Sequence, residues 1–258
     1  MSKLIILLLT FFSFNAYSSE HGILWLGYLE HWTHIPEHIL SFILVGIFLV
    51  IVGFLYKMRI AKVSDTVVPE KGITIRNLVE AYGNFIYGQC KTVIGEKEAK
   101  TYFPFIATLF IVLLFSNLLG LIPGFIPPTD TLNTTLAIGV FSFLYYNWEG
   151  IKAQGPIGYL KHFAGPLWYM AILIFPLEII SHMVRPFSLA LRLQGNIMGD
   201  YLVVTTFTKL VPLGVPVIFL LLGLLVCVIQ AYVFTVLSMV YISMAVEHHD
   251  HGDEAAEH

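Results

Sequence analysis

Charge is scarce in this chain. Aspartate, glutamate, lysine and arginine make up 12% of its 258 residues, while 57% are hydrophobic. A soluble domain is nearer about 25% charged. Several apolar runs approach or exceed the roughly 20 residues that cross a bilayer. Together these exclude an ordinary soluble fold and call for an all-α integral membrane protein. Net charge is only −3 and no basic cluster is present, which argues against a nucleic-acid partner. There are two cysteines, Cys90 and Cys227, far apart in the chain and read as free thiols. No GxxxxGK[ST] loop occurs, so nucleotide chemistry belongs to other chains. No HExxH occurs either. His31, His34 and His38 near one end, and His248, His249 and His251 near the other, read as interfacial or solvated histidines rather than metal ligands. No cofactor or metal is expected.

What is present divides into apolar spans and polar connections. Residues 1–18 carry Lys3, an apolar core and small residues at Ala16 and Ser18, the pattern of a cleaved signal peptide. Residues 19–37 then begin outside the cytoplasm. The first span is 38–56, followed at once by Lys57, Arg59 and Lys62. Between 63 and 101, the spacing of Ile73, Arg76, Leu78, Val79, Tyr82, Phe85 and Ile86 predicts an amphipathic helix lying at the interface. A second span covers 103–122 and a third, shorter one 134–148. Between them, 123–133 is a loop with three prolines and no lysine or arginine. Lys152 and Lys161 flank a Gly/Pro-rich connection. The positive-inside rule puts all these cations in the cytoplasm and the N-terminus outside. Two long stretches, 167–208 and 212–246, predict a tilted helical hairpin. At 1.5 Å per residue, the first would be on the order of 60 Å long, twice the hydrocarbon thickness. About five membrane helices make up a domain over 38–247, and 248–258 is a polar cytoplasmic tail.

The 176–201 segment, PLEIISHMVRPFSLALRLQGNIMGDY, holds ionisable groups at membrane depth. An arginine there costs roughly 3 to more than 10 kcal/mol. On a helical wheel, Glu178, Ser181, His182, Arg185, Ser188, Arg192, Asn196, Gly199 and Asp200 share an arc of roughly 120°. Glu178 can pair with His182 or Arg185. Arg192 has no local carboxylate except Asp200, two turns on, so a partner from another chain is the sharper reading. Arginine stays charged despite desolvation, and it lowers the pKa of a carboxylate brought beside it. Such a residue can separate two proton routes. Gln230, polar in an otherwise apolar final helix, needs a partner. Either it joins helices or it lies close to Arg192.

RPFSLALRLQGN closely resembles the signature of subunit a of bacterial F-type ATP synthases. Asn117 in FSNLLGLIPG, the TLNTTLAIGVF segment, Glu178 fourteen residues before Arg192, and QAYVFTVLSMVYISMA follow in family order. The resemblance covers about residues 35–247. It implies that Arg192 is the stator arginine facing a c-ring carboxylate. It assigns Glu178, Ser181 and Ser188 to the cytoplasmic proton path, with His182 nearby. Asn117, Asn196 and Gln230 fall to the opposite path, and Arg185 becomes a supporting charge. Implied partners are the c-ring, the b-subunit peripheral stalk, membrane lipid and the translocated proton. The expected location is a bacterial inner membrane. The chain departs from the family pattern at Tyr201, Gly223 and Gly120, where relatives carry ionisable groups. Asp200 is therefore expected to serve the outer path. The alternative to this reading is a stand-alone secondary transporter, against which stands the lack of an internal repeat.

Overall fold

The computed structural model describes residues 26, 30, 32–61, 72, 74–122, 125–164, 171–210 and 215–246, with a few side chains inside those helices left out. The signal-peptide segment, His31 and the histidines of the tail lie outside the described residues.

Among the described residues, six long helices carry the fold: α1 (Glu37–Ile60), α2 (Ile75–Val93), α3 (Glu96–Leu119), α4 (Leu132–Ala164), α5 (Ala171–Leu210) and α6 (Val215–Val246). No strand occurs among the described residues. By length and composition, α1, α3 and α6 are each long and apolar enough to cross a membrane. α4 and α5 pack along each other and along α6.

The helix ends follow local chemistry. α1 opens on Glu37 and closes on Lys57 and Arg59, which complements the helix dipole at both ends. α2 is the expected amphipathic helix. Thr74 caps it by accepting the Asn77 N–H at 3.3 Å. Its inner face buries Ile86 and Cys90. Arg76 is buried too, its Nε donating to Glu80 at 2.7 Å. Gly95, at φ 104°, makes the turn from α2 into α3, a conformation that favours glycine. α3 begins seven residues before the expected span, because Glu96 and Glu98 sit well in a first helical turn. α4 runs on through the expected connection and breaks its helical geometry only at Gly155, φ 74°. α5 remains one helix through Pro176 and Pro186.

The core lies where α2 to α6 meet, built on residues such as Ile106, Leu113, Tyr146, Leu193, Phe234 and Ile242. α1 stands at its edge and buries only Ser41 and Val45. Polar links tie the layers: Ser142 to Ser238 at 3.0 Å, Tyr232 to Gln89 at 3.0 Å, and Gln154 to the Ala245 carbonyl at 2.9 Å.

The proline-rich loop does not stay on the surface. Its 3-10 turn, Pro128–Asp130, packs against α1, α3, α4 and α5. Pro128 and Thr129 are buried there. Pro127 lies so close to Gly120 that a Cβ at 120 would meet its ring at 2.8 Å. The loop thus plugs one end of the bundle, and the tight fit explains why residue 120 has no side chain.

Candidate functional site

α5 presents one face to the bundle and the other to its surroundings. Pro186, Leu189, Ala190 and Leu193 are buried against α4 and α6. The outward face holds two adjacent rows at helical spacing. One is apolar: Leu177, Ile180, Val184, Phe187, Leu191 and Met198. The other contains Ser181, Ser188, Arg192, Asn196 and Gly199, all exposed. These five residues of the polar stripe expected from the sequence point away from the chain's own core, while His182, Arg185 and Asp200 are half-buried.

Arg192 sits midway along this row. Among the described residues, no hydrogen bond or ion pair reaches it. Ser188 and Gly199 in the row, and the exposed Gly195 beside it, are small, so a second helix can approach closely. Arg185, two turns earlier, is different. It is half-buried, and its guanidinium lies 4.9 Å from the centroid of the Tyr241 ring on α6. That geometry suits a cation–π contact.

His182 is also turned inward. Its Nδ1 is 3.4 Å from the Tyr146 hydroxyl on α4. The backbone of Glu178 is in α5, but its side chain lies outside the described residues.

Gln230 has a defined partner. Asn196 Nδ2 donates to Gln230 Oε1 at 2.6 Å, linking α5 to α6. Gln230 is 4% exposed, so this bond satisfies an amide that would be costly to bury alone. The glutamine thus joins the helices one turn beyond Arg192, through Asn196.

Further along, the structure brings together residues that the sequence kept apart. Asp200 Oδ2 stands 3.9 Å from the point where a Cβ on Gly223 would be, and Leu121 Cδ2 stands 3.3 Å from that point. Glycine at 223 leaves the notch into which the half-buried Asp200 fits. One turn along α6, the Cys227 thiol donates to the Asn117 carbonyl at 3.6 Å. Asn117 Oδ1 accepts the Thr129 hydroxyl at 2.9 Å. Asp200 at Gly223, and Asn117 with Thr129 at Cys227, thus approach α6 within one turn of each other. Thr129 and Cys227 were not singled out from the sequence. Thr129 lies in a loop without periodicity, and a lone cysteine in an apolar helix reads as packing.

Both cysteines are free and buried. In α2, burial pushes the Cys90 thiol up to about 11. In the loop, burial raises the Asp130 carboxyl above its ordinary value of 3.8.

Comparison with known proteins yields consistent matches. The family model described as ATP synthase A chain matches residues 38–243. ATP synthase subunit a of Bdellovibrio bacteriovorus is 44% identical over 218 residues, covering 84% of this chain and 94% of that protein. ATP synthase subunit a 2 of Syntrophotalea carbinolica is 42% identical over 236 residues, 92% of each chain. ATP synthase subunit a of Geobacter sulfurreducens is 49% identical over 173 residues, 67% of this chain and 75% of that protein.

Proposed function

Since this chain belongs to the ATP synthase A chain family, we propose that the open face of α5 is the surface past which a ring of carboxylate-bearing subunits turns, with Arg192 as its fixed cation. The chain is a membrane protein and a stator subunit of an F-type ATP synthase, where it takes part in proton translocation. The stand-alone transporter reading falls away with that membership.

The observation that carries the proposal is Arg192 itself, an exposed cation midway along α5 with no partner among the described residues. Left facing lipid, it would cost roughly 3 kcal/mol or more. A passing carboxylate removes that cost, and the small residues around Arg192 support its close approach.

The chemistry follows from charge. A proton from the outer side reaches a ring carboxylate by way of Asn117, Asp200, Asn196 and Gln230. The neutralised carboxyl can then turn through hydrocarbon at low cost. When rotation brings it beside Arg192, the guanidinium favours the ionised form and the proton leaves. It departs by the inner path along Glu178, Ser181, His182 and Ser188. Arg192 cannot relay the proton, because it holds its own throughout. The two routes therefore stay separate, and passage requires rotation. The driving force includes about 2.3 kcal/mol per charge per 100 mV. Arg185, stacked on Tyr241, is a fixed supporting charge.

The setting extends the same reading. The membrane is a bacterial inner membrane, with residues 1–18 removed as a signal peptide. The N-terminal segment 19–37 lies outside, 38–247 forms the channel domain, and the tail 248–258 lies in the cytoplasm. Lys57 and Arg59 at the end of α1 support that orientation. α1 exposes most of its apolar side chains, which supports contact with lipid and with the b-subunit stalk.

Arg192→Ala in the assembled complex tests the proposal. Loss of ATP-driven proton pumping is expected, with a passive leak through the membrane sector. Normal coupled synthesis would reject the role. Arg192→Lys then asks whether charge without the guanidinium fork suffices.

A further inference from the structure

Asn117 is 3% exposed, and its two ends are treated differently. Oδ1 takes the Thr129 hydroxyl at 2.9 Å, while Nδ2 is buried without a hydrogen-bond partner among the described residues. An unpaired buried donor costs about 1–3 kcal/mol. Groups of this kind are ordinarily satisfied by buried water, provided that a second polar partner lies near.

The surroundings supply that partner. Leu121, one turn beyond Asn117, touches the Gly223 notch, and Asp200 Oδ2 reaches the same notch from α5. Cys227, one turn from Gly223, is bonded to the Asn117 backbone. Asn117 and Asp200 therefore converge on one turn of α6.

We propose that a buried water bridges Asn117 Nδ2 and the Asp200 carboxylate, and that Thr129 is the positioning residue that holds the Asn117 amide with its donor side toward that water. This rests on the reading of Asp200 as a group of the outer proton path. By donating to Oδ1, Thr129 fixes the carbonyl end of the amide toward the loop. Nδ2 is then left to donate to the water, and the water donates to Asp200. A proton arriving at the water from the loop side is taken up as the water passes one of its own to Asp200, so the water ends neutral, Asp200 ends protonated and charge balances over each transfer. Because Thr129 lies on the 3-10 turn packed into the bundle, the loop becomes a working part of the path.

Thr129→Val and Thr129→Ser in the assembled complex test the idea in membrane vesicles. Passive proton conduction through the membrane sector is measured per complex, with complex content read by immunoblot. Valine removes the hydroxyl and keeps the shape, so conduction should fall about three- to ten-fold. Serine should restore it. In an Asp200→Asn background, Thr129→Val should add no further loss. Unchanged conduction with valine, failure of serine to rescue, or losses that multiply with Asp200→Asn would each overturn the bridge. Should the valine variant not assemble, Thr129→Ala takes its place under the same criteria. If Asp200→Asn alone leaves conduction unchanged, the reading of Asp200 fails and the bridge with it. If Asp200→Asn lowers conduction and Thr129→Val does not, only the bridge is lost.

Discussion

Gly139 of α4 meets Pro186 of α5 so closely that a Cβ at 139 would stand 2.9 Å from the Pro186 carbonyl oxygen. The obstacle is backbone, so it cannot swing aside as a side chain could. This contact sets how near α4 comes to the helix that carries Arg192, six residues further on. Gly139→Ala is expected to push the two helices apart and cost about 1–3 kcal/mol. Thermal unfolding of the detergent-solubilised complex should show the loss, and an unshifted melting temperature would count against the contact.

A second glycine acts on a charge. At Gly223 a Cβ would crowd Leu121 at 3.3 Å and approach Asp200 at 3.9 Å. Gly223→Ala should be tolerated, with a small movement of Leu121. Gly223→Leu should fill the notch, displace Asp200 and reduce ATP-driven pumping by about ten-fold or more, as small displacements at a reacting group do. Pairing it with Leu121→Ala should recover part of the rate. Pumping assays on the three variants decide this, and equal rates in Gly223→Leu and the parent would remove Asp200 from the path.

The bond from Asn196 to Gln230 makes a separable prediction. Gln230→Leu leaves the Asn196 amide without its acceptor on α6. Interhelical hydrogen bonds in membranes are worth about 0.6 kcal/mol on average and up to about 1.7. A loss of that size in unfolding free energy is expected. Pumping should fall by more than the stability change explains, since Asn196 lies one turn from Arg192. If the two fall together, the bond is structural only.

Asp130 gives a pH dependence. Burial raises its carboxyl, so the folded chain holds that proton more tightly than the unfolded chain. This contribution to stability is present below the unfolded value and is lost as pH rises through the higher folded value. Asp130→Asn removes the titration. The melting temperature of the variant minus that of the parent should therefore increase from about pH 4 upward. A constant difference across that range would show that the group is not perturbed by the fold.

Much of the architecture was legible in the chain because it depends on local spacing. The apolar runs gave α1, α3 and α6, and the alternation in 73–86 gave α2. The segment around Arg192 gave a polar row at helical period; Ser181, Ser188, Arg192, Asn196 and Gly199 of that row face outward, while His182 and Arg185 turn toward α4 and α6. The sequence could not show where α4 would stop. Gly155 reads equally well as a loop residue or as a break within one longer helix, and only packing against α5 and α6 decides between them.

The site divides in the same way. Arg192, Arg185 and His182 lie on one helix, so their common face followed from periodicity alone. Their fates did not. Arg185 stacks on Tyr241 and His182 meets Tyr146, whereas Arg192 finds no partner among the described residues, because the partners come from α4 and α6.

By itself, then, the sequence determined a membrane protein with a permanent cation on one helix face, since hydropathy and helical period act over a few turns. Tertiary structure decided which groups answer one another. Asn196 finds Gln230 across 34 residues, and Cys227 finds Asn117 across 110. Thr129 is only 12 residues from Asn117, yet it reaches it because a proline-rich loop folds back into the bundle. These pairings depend on how close two helices come, and that distance is set by glycines whose role shows only once a neighbour is in place.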